Sequence, residues 1–584
     1  MKNTANKFLI ALNIFMVLNL FLSACKDSFL DVPPTSSLTE EVLATEKGVE
    51  GLLVGAYAML NGRFDWYAGS SNWVHGSILG GDANKGTNAG DQSQVNPVER
   101  FETLPTNATV SSKWNGTFEG ISRANATLRV LAASEDPNLT AEDRARISGE
   151  ARFLRGHYYF ELKRLFNNVP FIDETLTTEE AVKVPNTADI WPNIEADFKY
   201  AFDNLPETQG ALGRANKWAA GAYLGKTYLY QGKYAEAKAM FDQVIANGKT
   251  AGGLKYGLLP SYASAFDAEL DNSEESVFAI QAAANTGSTA NADYEFVLNF
   301  PYNTGPSGPG NCCGFFQPSF ELANSFRTDA NGLPLLDGSY NSAANALKTD
   351  QGVPSADASY TTDAGPLDPR IDHSIGRRGI PYLDWQDHPG ADWIRDQGYA
   401  GPYSPKKFIY YKSQEGTLTD GSGWTRGYAA MNYNIIRFAD VLLMAAECEV
   451  ELNNLEAARA LVNQVRARAA NPASWVKRSD GSNAANYVIG LYNTPWTSAA
   501  TARDAVRFER KLELSGEGHR FFDLVRWGIA SEAINAYLQY EGAILTVQLG
   551  GATFQAGKHE RYPIPQTQID RQGTDVLKQN PGYN

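Results

Sequence analysis

The chain has 584 residues, a formal net charge of −15 and 43% hydrophobic residues. This charge argues against nucleic acid and other polyanions as the main partner, because phosphate groups are bound by basic patches. The 28 Tyr, 28 Phe and 11 Trp are ample for a large core, and they favour a neutral, hydroxyl-rich ligand.

The first 25 residues predict export and lipid attachment. Lys2 and Lys7 make the N-terminal end basic, and an apolar run covers residues 8–22. Small residues then precede Cys25, as at the cleavage site of a signal peptide. We predict a lipoprotein signal peptide over residues 1–24 and lipidation of Cys25, with an uncleaved membrane anchor as the alternative. No later apolar stretch approaches the ~20 residues of a spanning helix, so lipid is the expected membrane attachment.

Helical periodicity dominates two parts of the chain. Apolar residues recur every three or four positions over residues 144–166, which indicates an amphipathic helix. Residues 221–249 carry the small and aromatic residues of a tetratricopeptide repeat, in which paired helices cross where side chains are small. A weaker copy occurs later. Because such repeats need neighbours, we predict a helical scaffold over about 36–249 and 433–470, and a helical and irregular segment over 500–584.

Between the two helical parts, residues 250–430 are rich in Gly, Pro, Asn, Ser and Asp and lack helical periodicity. Long loops inside an ordered domain are usually functional, so we expect the ligand site in this insertion. Asp329 and Asn331 stand at alternate positions in it. They indicate a polar turn, with a structural calcium site as the alternative.

Two neighbouring cysteines, Cys312 and Cys313, lie in this insertion within the sequence GPGNCCGFFQPSF. Cys448 lies in a predicted buried helix, where a lone cysteine behaves as a small apolar residue. Thiols oxidise outside the cytoplasm, so we predict a disulfide between the two neighbours, with free thiols as the alternative. The resulting ring would form a rigid apolar bump on the loop.

Motifs of catalysis are not apparent in the sequence. It has no nucleophile-elbow serine, no zinc-type His-Glu pair on a helix and no complete phosphate-binding P-loop. Asp523, Arg526 and Trp527 share one face of a predicted helix, and we interpret them as an ion pair with aromatic packing. We therefore expect neither an enzyme nor a cofactor.

Several longer motifs follow one another along nearly the full length of the chain. They include ACKDSFLDVPP at the expected mature start, EARFLRGHYYFELKRLFNNVPFI, IIRFADVLLMAAECEVELNN, FERKLELSGEGHRFFDLVRWG and YPIPQTQID. In this order they resemble the SusD/RagB family of lipid-anchored glycan-binding proteins of the Bacteroidetes outer membrane. The resemblance implies a mostly α fold, in which four tetratricopeptide-like helix pairs pack against an irregular, loop-rich half with few short strands.

The resemblance also implies a role at the cell surface. A protein of this family captures oligosaccharide at the outer membrane and delivers it to a SusC-like TonB-dependent transporter. Two other functions stay open at this point. A RagB-type peptide-uptake lipoprotein would keep the same scaffold, since tetratricopeptide repeats commonly hold peptides. A glycosidase would need two carboxylates flanking the scissile bond, which 66 acidic residues could supply.

Sugar rings offer apolar C–H faces and a rim of hydroxyls, so a glycan site needs aromatic rings beside planar polar groups. Residues 64–92 and 376–403 combine both, and the cysteine pair with its neighbouring phenylalanine is a third candidate. The predicted glycan-binding residues are Trp66, Trp73, Asp82, Asn84, Lys85, Cys312, Cys313, Phe315, Arg378, Tyr382, Trp385 and Trp393.

Overall fold

The computed structural model describes residues 39–63, 65–310, 312–421 and 427–583. The predicted signal peptide and the lipidation of Cys25 lie outside the described residues. Within them, no helix is both long enough and apolar enough to cross a membrane.

The described chain is mostly helical, which confirms the predicted fold class. The longer helices are α1 Glu46–Tyr57, α2 Ala108–Ala133, α3 Ala141–Phe166, α4 Trp191–Asn204, α5 Lys217–Tyr230, α6 Tyr234–Asn247, α7 Phe438–Glu451, α8 Leu455–Ala469, α9 Ala499–Glu513 and α10 Ala530–Ile544. Shorter helices cover Glu40–Leu43, Asn96–Glu99, Thr178–Ala181, Phe320–Ser325, Ile371–Ser374, Gln397–Ala400, Arg520–Arg526, Thr546–Leu549 and Gln566–Gln572.

Helices α1 to α8 form a continuous scaffold of packed pairs. The pairs are α1 with α2, α3 with α4, α5 with α6 and α7 with α8, and each pair packs on the next. At the α5–α6 crossing, a Cβ added to Gly225 would lie 2.7 Å from the ring of Phe241. The small residue therefore lets the two helices approach, as the repeat pattern predicts.

Local signals set the ends of the long helices. Thr140 and Asp143 form a capping box at the start of α3, and Asn107 caps α2 by accepting from the backbone N–H of Thr109. Helix α3 ends at Phe166, and the following residue, Asn167, has a φ of 63°, outside the helical region. These caps satisfy amide groups that the helices themselves leave unpaired.

The other half of the molecule consists of loops and short two-stranded pairings. The strands are β1 Ala83–Gly86, β2 Ser276–Ile280, β3 Phe315–Pro318, β4 Ile375–Gly376, β5 Pro381–Tyr382, β6 Gln386–Asp387, β7 Ser404–Pro405, β8 Thr419–Asp420, β9 Tyr428–Ala429 and β10 Tyr433–Arg437. All pairings between these strands are antiparallel: β1 with β3, β2 with β10, β4 with β7, β5 with β6 and β8 with β9.

A buried cluster of charges joins the helices to the loop-rich half. Arg437 at the end of β10 pairs with Glu275, Glu513 and Glu517 at 2.6–2.8 Å. Arg370 from the loop-rich half also reaches Glu513, at 2.9 Å. All five side chains are at most 2% exposed, so each charge depends on its partners rather than on water.

The segment around Asp523 has the structural role that its helical spacing predicts. Its carboxylate pairs with Arg510 of α9 at 2.9 Å and with Arg526 at 2.8 Å. The indole N–H of Trp527 donates to Glu447 of α7 at 3.0 Å. The ion pair with aromatic packing is therefore confirmed, and it joins this short helix to the scaffold.

The turn at Asp329 closes on itself. Its Oδ1 atom accepts from the backbone N–H groups of Asn331 and Leu333, both at 2.8 Å. This is the polar turn that the sequence favours over a calcium loop. The calcium site itself stays a prediction. Among the described ranges, no group of three His, Cys, Asp or Glu side chains is placed to hold a metal ion.

Candidate functional site

The first stretch of predicted site residues lies mostly in the interior. Trp73 is 1% exposed, and its indole N–H donates to the backbone oxygen of Trp66 at 2.7 Å. Asn84 is fully buried and accepts from the hydroxyl of Tyr537 at 3.0 Å. Trp66 alone among the five predicted residues of this stretch is half-buried rather than buried.

Two charged residues of the same stretch are buried with it. Asp82 accepts from the backbone N–H of Gly516, and burial raises the pKa of its carboxyl to about 6. The Lys85 ammonium donates to the backbone oxygens of Asn88 and Asp91 at 2.7–2.8 Å, and burial lowers its pKa to about 8. Their partners are groups of the protein itself, which makes both residues structural.

The second stretch is also internal. Tyr382 is fully buried, and its hydroxyl donates to the backbone oxygen of Pro405. Trp385 donates to Tyr410 O at 3.2 Å. The ring of Trp393, 3% exposed, meets that of Tyr382 edge-on at 5.4 Å. Arg378 donates to backbone oxygens of a neighbouring loop and is likewise buried.

In the third candidate, the structure bonds the Sγ atoms of Cys312 and Cys313. Cys313 is 3% exposed and Cys312 is half-buried. Phe315 is fully buried and lies edge-on to Trp73, with ring centroids 6.4 Å apart. Of this group, Cys312 alone offers appreciable surface.

The predicted set of contact residues is therefore corrected. Buried side chains cannot present a ring face or a hydrogen-bonding group to a ligand at the surface. On this ground the structure removes ten residues from the contact set and keeps Trp66 and Cys312. The residues removed are Trp73, Asp82, Asn84, Lys85, Cys313, Phe315, Arg378, Tyr382, Trp385 and Trp393.

Three half-buried rings form the aromatic feature that remains. Trp66 and Tyr294 are stacked with centroids 6.1 Å apart and planes 15° apart. Tyr294 and Tyr428 continue the row at 6.2 Å and 12°. We call Trp66, Tyr294 and Tyr428 the aromatic platform. Three nearly parallel rings in a row suit a ligand that repeats a flat apolar unit along its length.

The backbone holds the aromatic platform in place from below. The N–H of Asp293 donates to Ala429 O at 2.8 Å, which joins the segments of Tyr294 and Tyr428. The Trp73 indole holds the backbone of Trp66 from the core side. The rings are thus ordered before any ligand arrives, which lowers the entropy lost on binding.

A polar cavity of ≈570 Å³ is built from the same segments as the aromatic platform. Arg63 and Asn291 line it, and each lies three residues before a platform ring. Asn61, Gln281 and Thr286 are further lining residues. Amides, a hydroxyl and a guanidinium supply the donors and acceptors that a rim of sugar hydroxyls requires. We call this the polar cavity.

Residues 274–583 match the SusD family, and residues 28–229 match a family described as "Starch-binding associating with outer membrane". The chain belongs to the SusD family. The first match alone spans more than half of the chain, which confirms the family that the motifs of the sequence resemble.

Curated relatives cover nearly the whole of this SusD-family protein. SusD-like protein P2 of Formosa agariphila is 25% identical over 97% of this chain and 99% of its own. SusD-like protein P25 of the same organism is 26% identical over 89% of this chain and 90% of its own. The similarity therefore includes both the scaffold and the loop-rich half.

Solved structures agree with the fold. A laminarin-binding SusD-like protein is 25% identical, covers 92% of this chain and all of its own, and superposes with a TM-score of 0.64. A SusD superfamily protein of Bacteroides vulgatus is 21% identical over 92% of this chain and 99% of its own, with a TM-score of 0.66. Because the Bacteroides vulgatus protein is only 21% identical, its similarity concerns the fold alone.

The carboxyl groups behind the aromatic platform of this SusD-family protein favour their neutral form. Burial raises the pKa of Glu295 to about 8, and burial with the nearby Glu295 raises that of Asp293 well above its usual range. Burial thus shifts both groups toward their neutral, protonated form. This shift lowers the negative charge behind the rings, which fits a neutral ligand.

A larger cavity, of ≈770 Å³, lies on the scaffold between α2, residues 170–182 and the helix Gln566–Gln572. Its aromatic lining residues are Trp114, 4% exposed, and Phe118. Their rings pack on each other at 4.8 Å. Because Trp114 is buried, this cavity presents one half-buried ring, whereas the aromatic platform presents three. The platform is therefore the better site for a sugar despite the smaller cavity beside it.

Sequence reasoning missed two of the three platform residues. Tyr294 lies in NADYEFVLNF and Tyr428 follows a Gly-rich run, and neither has a local pattern that separates it from the other tyrosines of the chain. Only the fold brings their segments beside Trp66. The useful signal was the general one, that ordered loops rich in aromatic residues carry function.

Proposed function

We propose that this SusD-family protein binds a neutral oligo- or polysaccharide on the aromatic platform, with sugar hydroxyls held by the polar cavity. The row of three parallel rings is the observation that carries the proposal. The rings would contact the C–H faces of successive sugars, while Arg63 and the amides of the cavity meet their hydroxyl rim.

The relatives support this choice of ligand. The structurally similar protein at 25% identity is described as laminarin-binding, and one matching family is described as starch-binding. Laminarin and starch are both neutral glucans. The net charge of −15 favours a neutral ligand over a polyanion, and so do the carboxyls behind the rings, whose raised pKa favours the neutral form.

The proposal includes a place in the cell. Lipidation at Cys25 would attach the protein to the outer membrane, facing outward, and the bound glycan would pass to a SusC-like TonB-dependent transporter. The family description of outer-membrane association supports this location. In this role the protein binds without hydrolysis, because transport of an intact oligosaccharide is the purpose of capture.

Affinity gels test the proposal with laminarin, amylopectin, xylan and mannan as probes. We expect retardation of the mature chain by at least one of these polysaccharides and no release of reducing ends. Retardation with reducing-end release would instead indicate a glycosidase. If no gel retards the chain and a mixture of peptides binds to it, the RagB-type alternative replaces the proposal.

A pair of matched variants tests whether the glycan binds at the aromatic platform. Tyr200 on α4 is also a half-buried tyrosine, with the Arg152 guanidinium 4.3 Å from its ring centroid, but it lies on the scaffold. Tyr294→Ala should lose retardation while Tyr200→Ala keeps it. Equal retardation of both variants would contradict the proposed site.

A further inference from the structure

The loop that carries the disulfide is rigid. We call residues 301–310 and 312–314 the cysteine loop. Thr304 closes its neck, because its backbone N–H and hydroxyl both donate to Gly310 O at 2.7 Å and its Oγ1 accepts from Gly310 N at 2.9 Å. A Cβ added to Gly310 would lie 1.9 Å from Pro301 O, so only glycine fits there.

Buried aromatic residues support the cysteine loop from the core. A Cβ added to Gly308 would lie 2.5 Å from Trp393 Cζ2, which shows how closely the loop backbone approaches that indole. The Tyr410 hydroxyl donates to Pro309 O at 3.2 Å, and the Tyr302 N–H donates to Trp393 O at 2.9 Å. These contacts hold the backbone of the cysteine loop up to Gly310, two residues before the half-buried Cys312.

An accessible ion pair lies beside the cysteine loop. Arg395 Nη1 contacts Asp91 Oδ2 at 2.6 Å, and the two side chains are 30% and 32% exposed. The guanidinium of Arg395 lies 5.4 Å from the centroid of the Tyr302 ring. The Thr87 hydroxyl accepts from Arg395 at 2.8 Å, and the Thr87 N–H donates to Gly314 O. The charges are thus joined to the cysteine loop.

We propose that the half-buried Cys312 side of the Cys312–Cys313 disulfide, with Arg395 and Asp91, forms a second subsite for a sugar unit of a longer chain. The disulfide offers an apolar surface to a C–H face, and the guanidinium–carboxylate pair offers donors and acceptors to hydroxyls. This inference rests on the proposed function, since it extends the same ligand beyond the aromatic platform.

The distance between the two sites suits one oligosaccharide. Tyr294 of the aromatic platform and Tyr302 of the cysteine loop are eight residues apart, so their Cα atoms lie within about 29 Å. An extended hexasaccharide is comparable in length to this upper limit, so one ligand can reach both sites. The proposal expects a disaccharide on the platform to leave the disulfide free. The subsite therefore adds affinity only for longer ligands.

The test compares short and long ligands on the wild-type protein and two variants. The polysaccharide retained among laminarin, amylopectin, xylan and mannan supplies a disaccharide and a hexasaccharide, and calorimetry gives each Kd. The double variant Cys312→Ser/Cys313→Ser and the single variant Arg395→Ala should each weaken hexasaccharide binding about fivefold, since one such contact adds about 1 kcal/mol. Disaccharide binding should stay unchanged.

Reduction repeats the test on the wild-type protein. A phosphine reductant should weaken hexasaccharide binding by the same factor and leave the serine double variant unaffected. Wild-type hexasaccharide affinity in both variants would overturn the subsite while leaving the aromatic platform intact. If the wild-type protein binds none of the four glycans, the proposed function fails and the subsite fails with it. If the serine double variant does not fold, the hexasaccharide Kd of Arg395→Ala still tests the subsite.

Discussion

Replacing Tyr294 by alanine is the sharpest perturbation of the aromatic platform. Tyr294 is the middle ring of the row, nearly parallel to Trp66 on one side and to Tyr428 on the other. Its removal takes away one sugar contact and also the ring that both neighbours pack against. We therefore expect a larger loss of affinity from Tyr294→Ala than from alanine at either end of the row.

The size of the effect follows from the exposed surface of the ring. Aromatic side chains bury about 150–250 Å² when fully covered, so Tyr294, which the protein covers for the most part, leaves on the order of 50 Å² for a ligand. At about 25 cal/mol per Å² this area contributes about 1.2 kcal/mol, or about an eightfold change in Kd. Disorder of the two neighbouring rings adds to this, so we expect a loss of about 10- to 30-fold.

Calorimetry with the glycan retained in the affinity gels measures this loss. Tyr294→Phe keeps the ring and should bind within about twofold of the wild-type protein, because the stacking surface is preserved. Tyr200→Ala controls for the loss of a half-buried ring elsewhere. If Tyr294→Ala is folded and binds with wild-type affinity, the platform is not the binding surface and the reasoning is wrong.

Three further predictions concern stability. Burial raises the pKa of Glu541 to about 8, so its protonated carboxyl contributes to the free energy of unfolding below about pH 4.5, and this contribution is lost between pH 4.5 and pH 8. Glu541→Gln should therefore match the wild-type melting temperature near pH 4.5 and exceed it at pH 8. Gly310→Ala should cost about 1–3 kcal/mol because its Cβ would meet Pro301 O, whereas Gly210→Ala, with open space around it, should be neutral by thermal denaturation. Phe241→Ala should cost about 3–5 kcal/mol, measured by urea denaturation, because the fully buried ring fills the α5–α6 crossing.

The helical scaffold was predictable because its information is local. Period and residue size repeat over short segments, and helices adjacent in the chain become neighbours in space. Gly225 and Phe241 lie 16 positions apart within one helical hairpin, so the repeat pattern of the sequence is enough to predict that they face each other. The irregular half has no such repeat, so the sequence predicts its loops but not where they meet.

The binding surface was not predictable residue by residue. Trp73 and Trp66 are the same residue type in one glycine-rich stretch, yet Trp73 is buried against Phe315 and Phe316 from a distant part of the chain. Which tryptophan faces outward is decided by that long-range packing. Tyr294 and Tyr428 likewise become partners only after residues 293 and 429 are joined through their backbones.

The buried aromatic residues still have a part in the proposed binding, as supports. The Trp73 indole occupies the backbone oxygen of Trp66, and removing a buried hydrogen-bond partner costs about 1–3 kcal/mol. Trp393 supports the cysteine loop in the same way, through Tyr302 and the close approach of Gly308. A neutral sugar forms only modest contacts with each ring, so affinity depends on rings that are already ordered. Aromatic clusters in the sequence therefore mark the region of the site, because the rings that bind need other rings beneath them.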